Sequence, residues 1–441
     1  MYSSHGQQYP PPGQYPPPQG HYPPPQAGYP PPQSSPYPPS GGYYPPPNGN
    51  PYPSQGAQGA QYPPAHGSYP PQQPYGAPAP NHGYGAPPPG PPAPYGAPPQ
   101  QQPPPQQYGA PQYGGGPPTP PTLGYGPPQM IQWDANPDAH ALRSAMKGFG
   151  TDEKTLIRVL ATKDPLQIEA IKGAYFRNFS RTLEKDIASE TRGWFETGLL
   201  ALVRGPLLHD VHLLHSAMDG PGTKEKVLND VLLSRSNADL RAIKSVYHQT
   251  FGHSLENDVK GDLSMKTERH FLIVLGANRA EDSAPVIPQA IDQDVMELYR
   301  ATEGKVGTDE MMVCSILSSR NDNQIRAINH AYEQKFRRRL EDVIRKEFSG
   351  HMEAALLYQL RNAVDKYMHA AALLEDAMAG LGTKDHLLVS RVVRYHWDAH
   401  TLANVKGAYK QRYRKSLASR IKGETSGDYS RLMLACVGEA I

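Results

Sequence analysis

The chain writes one pattern four times, so its fold has to place four equivalent units rather than a single irregular core. A short glycine-bearing segment ending in Gly-Thr occurs at residues 146–151, 218–223, 303–308 and 378–383. A carboxylate follows each copy at a nearly constant distance. Gly148 to Glu190, Gly220 to Asp262 and Lys305 to Glu347 each span 42 residues, and Gly380 to Glu424 spans 44. A second echo lies between them, at 168–175, 240–247, 325–332 and 402–409, each ending in tyrosine. From the last loop glycine to that tyrosine is 25 residues in three copies and 27 in the fourth. The fourth unit therefore holds two extra residues before Tyr409, near Tyr395, His396 and Trp397.

Composition divides the chain in two. All 43 basic and 41 acidic residues lie from Asp134 onward, and beyond that point the only prolines are Pro137, Pro165, Pro206, Pro221, Pro285 and Pro288 of 51. A charge-free Pro/Gly/Tyr/Gln segment buries too little apolar surface to offset its ordering entropy. Residues 1–130 are accordingly expected to form a disordered tail leaning toward polyproline II. Tyr9, Tyr15, Tyr22, Tyr29, Tyr37, Tyr44, Tyr52, Tyr62 and Tyr69 each precede a proline, and Tyr75, Tyr84, Tyr95 and Tyr108 each open a Tyr-Gly-Ala-Pro. Such a tail reads as a semi-rigid spacer, or as a multivalent segment that recruits a protein partner or self-associates.

In the charged part the apolar residues recur at helical spacing, as at Leu156, Ile157, Val159 and Leu160 and again at Val227, Leu228, Val231 and Leu232, and strand signals are absent. The expected class is all-α. Two cysteines, Cys314 and Cys436, are too few for a disulfide framework and suggest a reducing compartment. The N-terminal stretch has no basic and apolar leader pattern, and no run approaches the roughly 18 to 20 apolar residues of a spanning helix. Any membrane contact is expected to be peripheral.

The loops suggest a chemistry. Glycines allow a tight turn to aim backbone carbonyls at one point, and calcium takes such neutral oxygens together with a carboxylate. One acid leaves a doubly charged ion incompletely neutralised, and a lipid phosphate or phosphoserine headgroup suits the gap, so that calcium and lipid would bind cooperatively. The residue between the glycines is apolar in every copy, Phe149, Pro221, Val306 and Leu381, which suits shallow insertion at a headgroup boundary. Thr151, Thr223, Thr308 and Thr383 suit helix N-caps, each followed two residues on by an acid: Glu153, Glu225, Glu310 and Asp385. A formal charge of +2 excludes a mainly basic membrane anchor, and the run at Arg337, Arg338 and Arg339 reads as a solvated face rather than a nucleic-acid patch. His209, His212 and His215, and likewise His396, Asp398 and His400, do not recur between units. Gly-x-Gly-Thr also lacks the Lys-Ser/Thr ending of a phosphate-binding loop. No enzyme is expected.

With these residues in view, the segment from about 134 to 440 resembles an annexin core, four copies in register carrying Lys-Gly-x-Gly-Thr or a variant with its downstream acid. The tail resembles that of the long-tailed annexins, and the core is most similar to the fungal branch. The resemblance implies a curved disc of four five-helix repeats at 134–205, 206–278, 291–362 and 366–438, joined across 279–290, with calcium loops on the convex face. It implies calcium-dependent binding to acidic phospholipid, a cytoplasmic protein that joins membranes reversibly, and no nucleic-acid partner. Carried over by position, calcium would meet Met146, Gly148, Gly150 and Glu190 in the first repeat, and Met218, Gly220, Gly222 and Asp262 in the second. In the fourth it would meet Met378, Gly380, Gly382 and Glu424. The third departs most, with Glu303 and Lys305 where methionine and glycine are expected, leaving Lys305, Gly307 and Glu347. Membrane contact would fall to Lys147, Phe149, Pro221, Val306 and Leu381; Asp219 and Ala379 stand where the motif has lysine.

Overall fold

The computed structural model describes residues 116–304 and 307–440. Residues 1–115 of the tail expected over 1–130, and the residues Lys305 and Val306, lie outside the described part. Nineteen α-helices and no strand occur among the described residues. The long helix α5 (Gly193–Met218) is two helices end to end, because Gly205 leaves helical geometry at φ 70° and ψ 175° and Pro206 follows it. Glycine tolerates that backbone and proline begins a helix without needing its missing N–H.

With α5 divided there, each unit holds five helices. The first has α1 (Asn136–Ala145), α2 (Glu153–Leu160), α3 (Pro165–Phe179), α4 (Leu183–Glu190) and the start of α5. The second has the rest of α5, α6 (Glu225–Leu232), α7 (Asn237–Phe251), α8 (Leu255–Asp262) and α9 (Met265–Leu275). The third has α10 (Pro288–Thr302), α11 (Glu310–Ser319), α12 (Asp322–Phe336), α13 (Leu340–Glu347) and α14 (Gly350–Val364). The fourth has α15 (Lys366–Met378), α16 (Asp385–His396), α17 (Ala399–Tyr413), α18 (Leu417–Glu424) and α19 (Gly427–Cys436). The two extra residues of the fourth unit are absorbed across α16 and the turn after it: from the start of α16 to the start of α17 is 14 residues, where the equivalent span is 12 in each of the other units. Because α18 keeps the 8 residues of α4, α8 and α13, Glu424 stays in register at its end.

Local chemistry sets the helix limits. Asp164 with Gln167, and Asn321 with Gln324, form reciprocal capping boxes that satisfy otherwise orphaned N–H groups at the starts of α3 and α12. The tyrosines of the sequence echo, Tyr175, Tyr247, Tyr332 and Tyr409, are fully buried at the heart of each unit. Each hydroxyl donates to a carboxylate: Tyr175 to Asp186 at 2.6 Å, Tyr332 to Glu303 at 3.3 Å, Tyr247 to Asp258 and Tyr409 to Glu375. The apolar cores of units one, two and four run together, while unit three has its own. Between units, α9 packs on α11, α16 packs on α5, and α19 packs on both α5 and α2. Arg391 of unit four reaches Asp230 of unit two at 2.7 Å, with both side chains buried. Removing one member of such a pair strands the other charge, at a cost of about 3–5 kcal/mol.

One expectation is corrected here. Residues 116–126, read from composition as part of the tail over 1–130, instead lie against unit two and the connection that follows it. Thr119 donates its N–H to Glu281 at 2.7 Å, and Thr122 donates its N–H and hydroxyl to Asp239 at 2.8 and 2.7 Å. The Tyr125 hydroxyl donates to Asp210, and the Arg235 guanidinium stands 5.0 Å from the centre of the Tyr125 ring. Gly124 has φ 87°, and a Cβ there would meet Pro206 at 2.5 Å. The segment carries no charge, but three acids far along the chain accept its hydroxyl and amide hydrogens, and composition does not report partners at that distance.

Four histidines are held neutral inside the core. Burial lowers His209 and His351 from the usual 6.5 to about 4, and His270 and His369 to about 3. Each is depressed relative to the unfolded chain, so on acidification the unfolded state takes up protons that the folded state refuses. Stability from these groups is complete above pH 6.5 and is lost as pH falls toward 4 and 3. The expected slope is about 1.4 kcal/mol per pH unit for each histidine. Urea midpoints measured at about pH 7.5, 6.0 and 5.0 should fall steadily, and His270→Leu should flatten the dependence.

Candidate metal centres

In every unit the loop between the first and second helices meets the end of the fourth. The loop glycines take backbone angles closed to other residues: φ is 113° at Gly148, 85° at Gly150, 100° at Gly220, 80° at Gly222, 86° at Gly307, 100° at Gly380 and 79° at Gly382. A Cβ added at any of them would meet nothing within 4 Å. These glycines are required for the turn itself and not for room, since the space beside their Cα atoms is open.

Each loop is closed at its neck by one main-chain hydrogen bond. Asp152 donates to Ala145 at 2.9 Å, Lys224 to Ala217 at 2.9 Å and Lys384 to Ala377 at 2.8 Å, all seven residues apart. In unit three Asp309 donates to Ala301 at 2.7 Å, eight residues apart. That loop is thus one residue longer, and the register read from its Gly-Thr end needs correcting on the other side. Thr302, buried like Met146 and Met378, stands at the methionine position, and Glu303 is displaced from it. Glu303 instead pairs with Arg338 and accepts from Tyr332. Gly307 and Glu347 keep their places, and Lys305 lies outside the described residues.

The threonine after each loop is not the helix cap that spacing suggested. The cap positions fall one residue later, at Asp152, Lys224, Asp309 and Lys384, and the acids Glu153, Glu225, Glu310 and Asp385 open the helices as expected. The threonine hydroxyl turns to the distant acid instead. Thr223 donates to Asp262 at 2.6 Å, Thr308 to Glu347 at 2.7 Å and Thr383 to Glu424 at 2.7 Å. Thr151 reaches the Glu190 carboxylate at 3.5 Å and its carbonyl at 3.3 Å. Loop and acid, 39 to 41 residues apart, are thereby held together in all four units.

In units three and four, hydrogen-bond donors beside the acid favour its ionised form. Glu347 lies below the usual carboxylate range through hydrogen bonds from Lys346 and Thr308, and Glu424 through those from Thr383 and Arg420. Arg420 also donates to the carbonyl of Met378, so in unit four an arginine touches two of the oxygen atoms singled out as ligands. Among the described residues no three His, Cys, Asp or Glu side chains are grouped to hold a metal ion. His209 is buried, and His396 directs Nδ1 to the Cys436 carbonyl at 3.1 Å. A metal at these loops would depend on one carboxylate and on main-chain carbonyls. That all-oxygen set fits calcium and does not fit the nitrogen and sulfur preference of zinc.

The loop tips face outward. Phe149 and Leu381 are fully exposed, and Lys147 and Pro221 are exposed beside them. A further apolar group, missed in the sequence, stands close by. Three residues after each fourth helix comes a position with φ near 60°, occupied by Gly193 at 64°, Gly350 at 60° and Gly427 at 60°, but by Met265 at 53° in unit two. Met265 is 79% exposed. A methionine held in a left-handed backbone, its side chain in water, is an outlier on two counts. Aligning the four units at the acid would have exposed it.

Comparison with known proteins agrees with this arrangement. The annexin family model matches residues 137–202, 209–274, 293–358 and 369–436. The chain is 39% identical over 387 residues to annexin C1 of Cryptococcus neoformans var. grubii, spanning 83% of this chain and 82% of that one. The structure of an annexin A8 point mutant with an intact N-terminus superposes with a TM-score of 0.66 at 35% identity, covering 70% of this chain and 97% of the other. A calcium-bound annexin (Sm)1 structure gives a TM-score of 0.63 at 27% identity, covering 70% and 91%. Four repeats of five helices, each with its glycine loop tied to a carboxylate, and a family match to every one of them make this chain a member of the annexin family.

Proposed function

We propose that this protein binds acidic phospholipid surfaces in response to calcium, using its repeats as parallel calcium-bridged contacts. Annexins are calcium-dependent membrane-binding proteins rather than enzymes. The observation that carries the reading for this chain is the fourfold recurrence of an open glycine loop beside a carboxylate held by a threonine. The carbonyls of Met146, Gly148 and Gly150 with Glu190 would hold one ion, and Met218, Gly220, Gly222 and Asp262 a second. Met378, Gly380, Gly382 and Glu424 form a third set, and Gly307 and Glu347 anchor the set in the longer loop of repeat three. Bound calcium would supply the positive charge that a lipid phosphate completes. The threonine presets the carboxylate beside the loop, which lowers the ordering needed on binding. Each ligand strengthens the other by linkage.

The exposed tips give the contact its apolar part. Phe149 and Leu381 enter the headgroup boundary, and Lys147 adds charge attraction that Asp219 and Ala379 do not supply in their repeats. In repeat two the tip is Pro221, a small and rigid group, and Met265 supplies the larger apolar side chain there. No helix among the described residues is long and apolar enough to cross a membrane, which leaves attachment at the surface. Two buried cysteines without a disulfide support a cytoplasmic setting.

Cosedimentation with phosphatidylserine-containing vesicles across a calcium titration tests the core of this reading. Wild-type protein is expected to pellet only with calcium, to release in EGTA and to ignore neutral vesicles. The combined Glu190→Gln, Asp262→Asn and Glu424→Gln change should abolish pelleting, and pelleting that persists without calcium would defeat the calcium-bridged mechanism. Met265→Gly separates fold from contact, since it should move the two readouts in opposite directions. Relief of the left-handed backbone should raise the melting midpoint by about 1–3 °C. Loss of the exposed thioether should weaken vesicle affinity roughly threefold. A purely structural methionine would leave vesicle affinity unchanged.

A further inference from the structure

Repeats one and four close the same gap between their first and fourth helices with an ion pair of opposite polarity. Three residues before the first ligand carbonyl, repeat one has Arg143 and repeat four has Glu375; four residues before the acid, repeat one has Asp186 and repeat four has Arg420. Arg143 Nη1 lies 3.4 Å from Asp186, and Arg420 Nε lies 3.3 Å from Glu375. The core tyrosine follows the acid, Tyr175 bonding Asp186 and Tyr409 bonding Glu375. The exchange keeps the packing of the repeat while moving the cation from the first helix to the fourth.

That move changes the metal centre. On α18, Arg420 sits one turn before Glu424, and its planar guanidinium reaches Glu375, Glu424 and the Met378 carbonyl together. Glu424 and Met378 are two of the oxygen donors of repeat four. At the corresponding position repeats two and three carry Asp258 and Val343, neither of them a cation. Repeat three has Lys346 against Glu347 at 2.8 Å, but that side chain is 65% exposed and offers a single charged point. A guanidinium has a rigid fork that engages a carboxylate and a carbonyl at once.

We propose that Arg420 is an internal cation that competes with calcium for repeat four and makes it a high-threshold site. Calcium reaches Glu424 and Met378 when the guanidinium withdraws from them, and Glu375 remains to hold it. Repeat one, whose Arg143 and Arg181 both bond Asp186, fills at lower calcium. A single chain thus responds over a wider calcium range than four equal sites would give. This inference rests on the reading of the loops as calcium sites, and its test distinguishes the two.

The experiment uses the full chain carrying Glu190→Gln, Asp262→Asn and Glu347→Gln, so that repeat four alone keeps its acid. Calcium is titrated by calorimetry without lipid, with Arg420 intact and with Arg420→Met. The expected result is calcium binding about three- to tenfold tighter in the Arg420→Met form, the range for a partly exposed charge-assisted pair. Equal or weaker binding would overturn the proposal. Thermal melting checks the fold, and if Arg420→Met does not fold, Glu375→Arg with Arg420→Asp replaces it. That pair restores the polarity of repeat one and keeps the helix-to-helix bridge, and it should tighten calcium in the same sense. No calcium uptake in any form would overturn the assignment of a metal site to repeat four, and this proposal with it.

Discussion

A hydroxyl held against a carboxylate 39 to 41 residues away is the contact around which each repeat is organised. It joins the loop after the first helix to the end of the fourth, so the intervening helices must return the chain to where it began. The loop glycines supply a turn that only their backbone allows, and the threonine ties that turn to the acid. A carboxylate placed beside open carbonyls is an incomplete coordination shell, and a cation with a further anionic ligand completes it. On the proposed reading, binding two partners at once would use an arrangement that is already formed before either arrives.

The interior supports this in a consistent way. One tyrosine per repeat is buried completely, and its hydroxyl requires an acceptor there because an unpaired polar group in the core is costly. Repeats one and two take that acceptor from the fourth helix, Asp186 and Asp258, while repeats three and four take it from Glu303 and Glu375 beside the loop. The requirement is for a carboxylate near the tyrosine, and the fold does not dictate which helix provides it. This freedom lets repeat four carry an arginine on its fourth helix, where the same packing alters the charge beside the glycine loop.

The segment 116–126 shows the complementary case, where composition is a poor guide. Its glycines, prolines and uncharged residues look like the remainder of the tail, but Thr119, Thr122 and Tyr125 each find a separate acid on the folded core. A chain too polar to form its own core can still order on a surface already made by others. The shape of that surface, with Pro206 packed against Gly124, belongs to residues far along the sequence.

Periodicity by itself determined four equivalent units, their helical class, their glycine loops and the acids facing them, because duplicated segments keep the spacing that their packing demands. It also located the insertion of repeat four. Tertiary structure alone decided the partner of the loop threonine, the extra residue in the loop of repeat three, the docked course of 116–126 and the place of Arg420 between Glu424 and Met378. Local spacing describes neighbours along the chain within a turn or two of helix. Each of these features joins groups that meet only after the helices have packed, so its energy depends on a geometry that no local pattern contains.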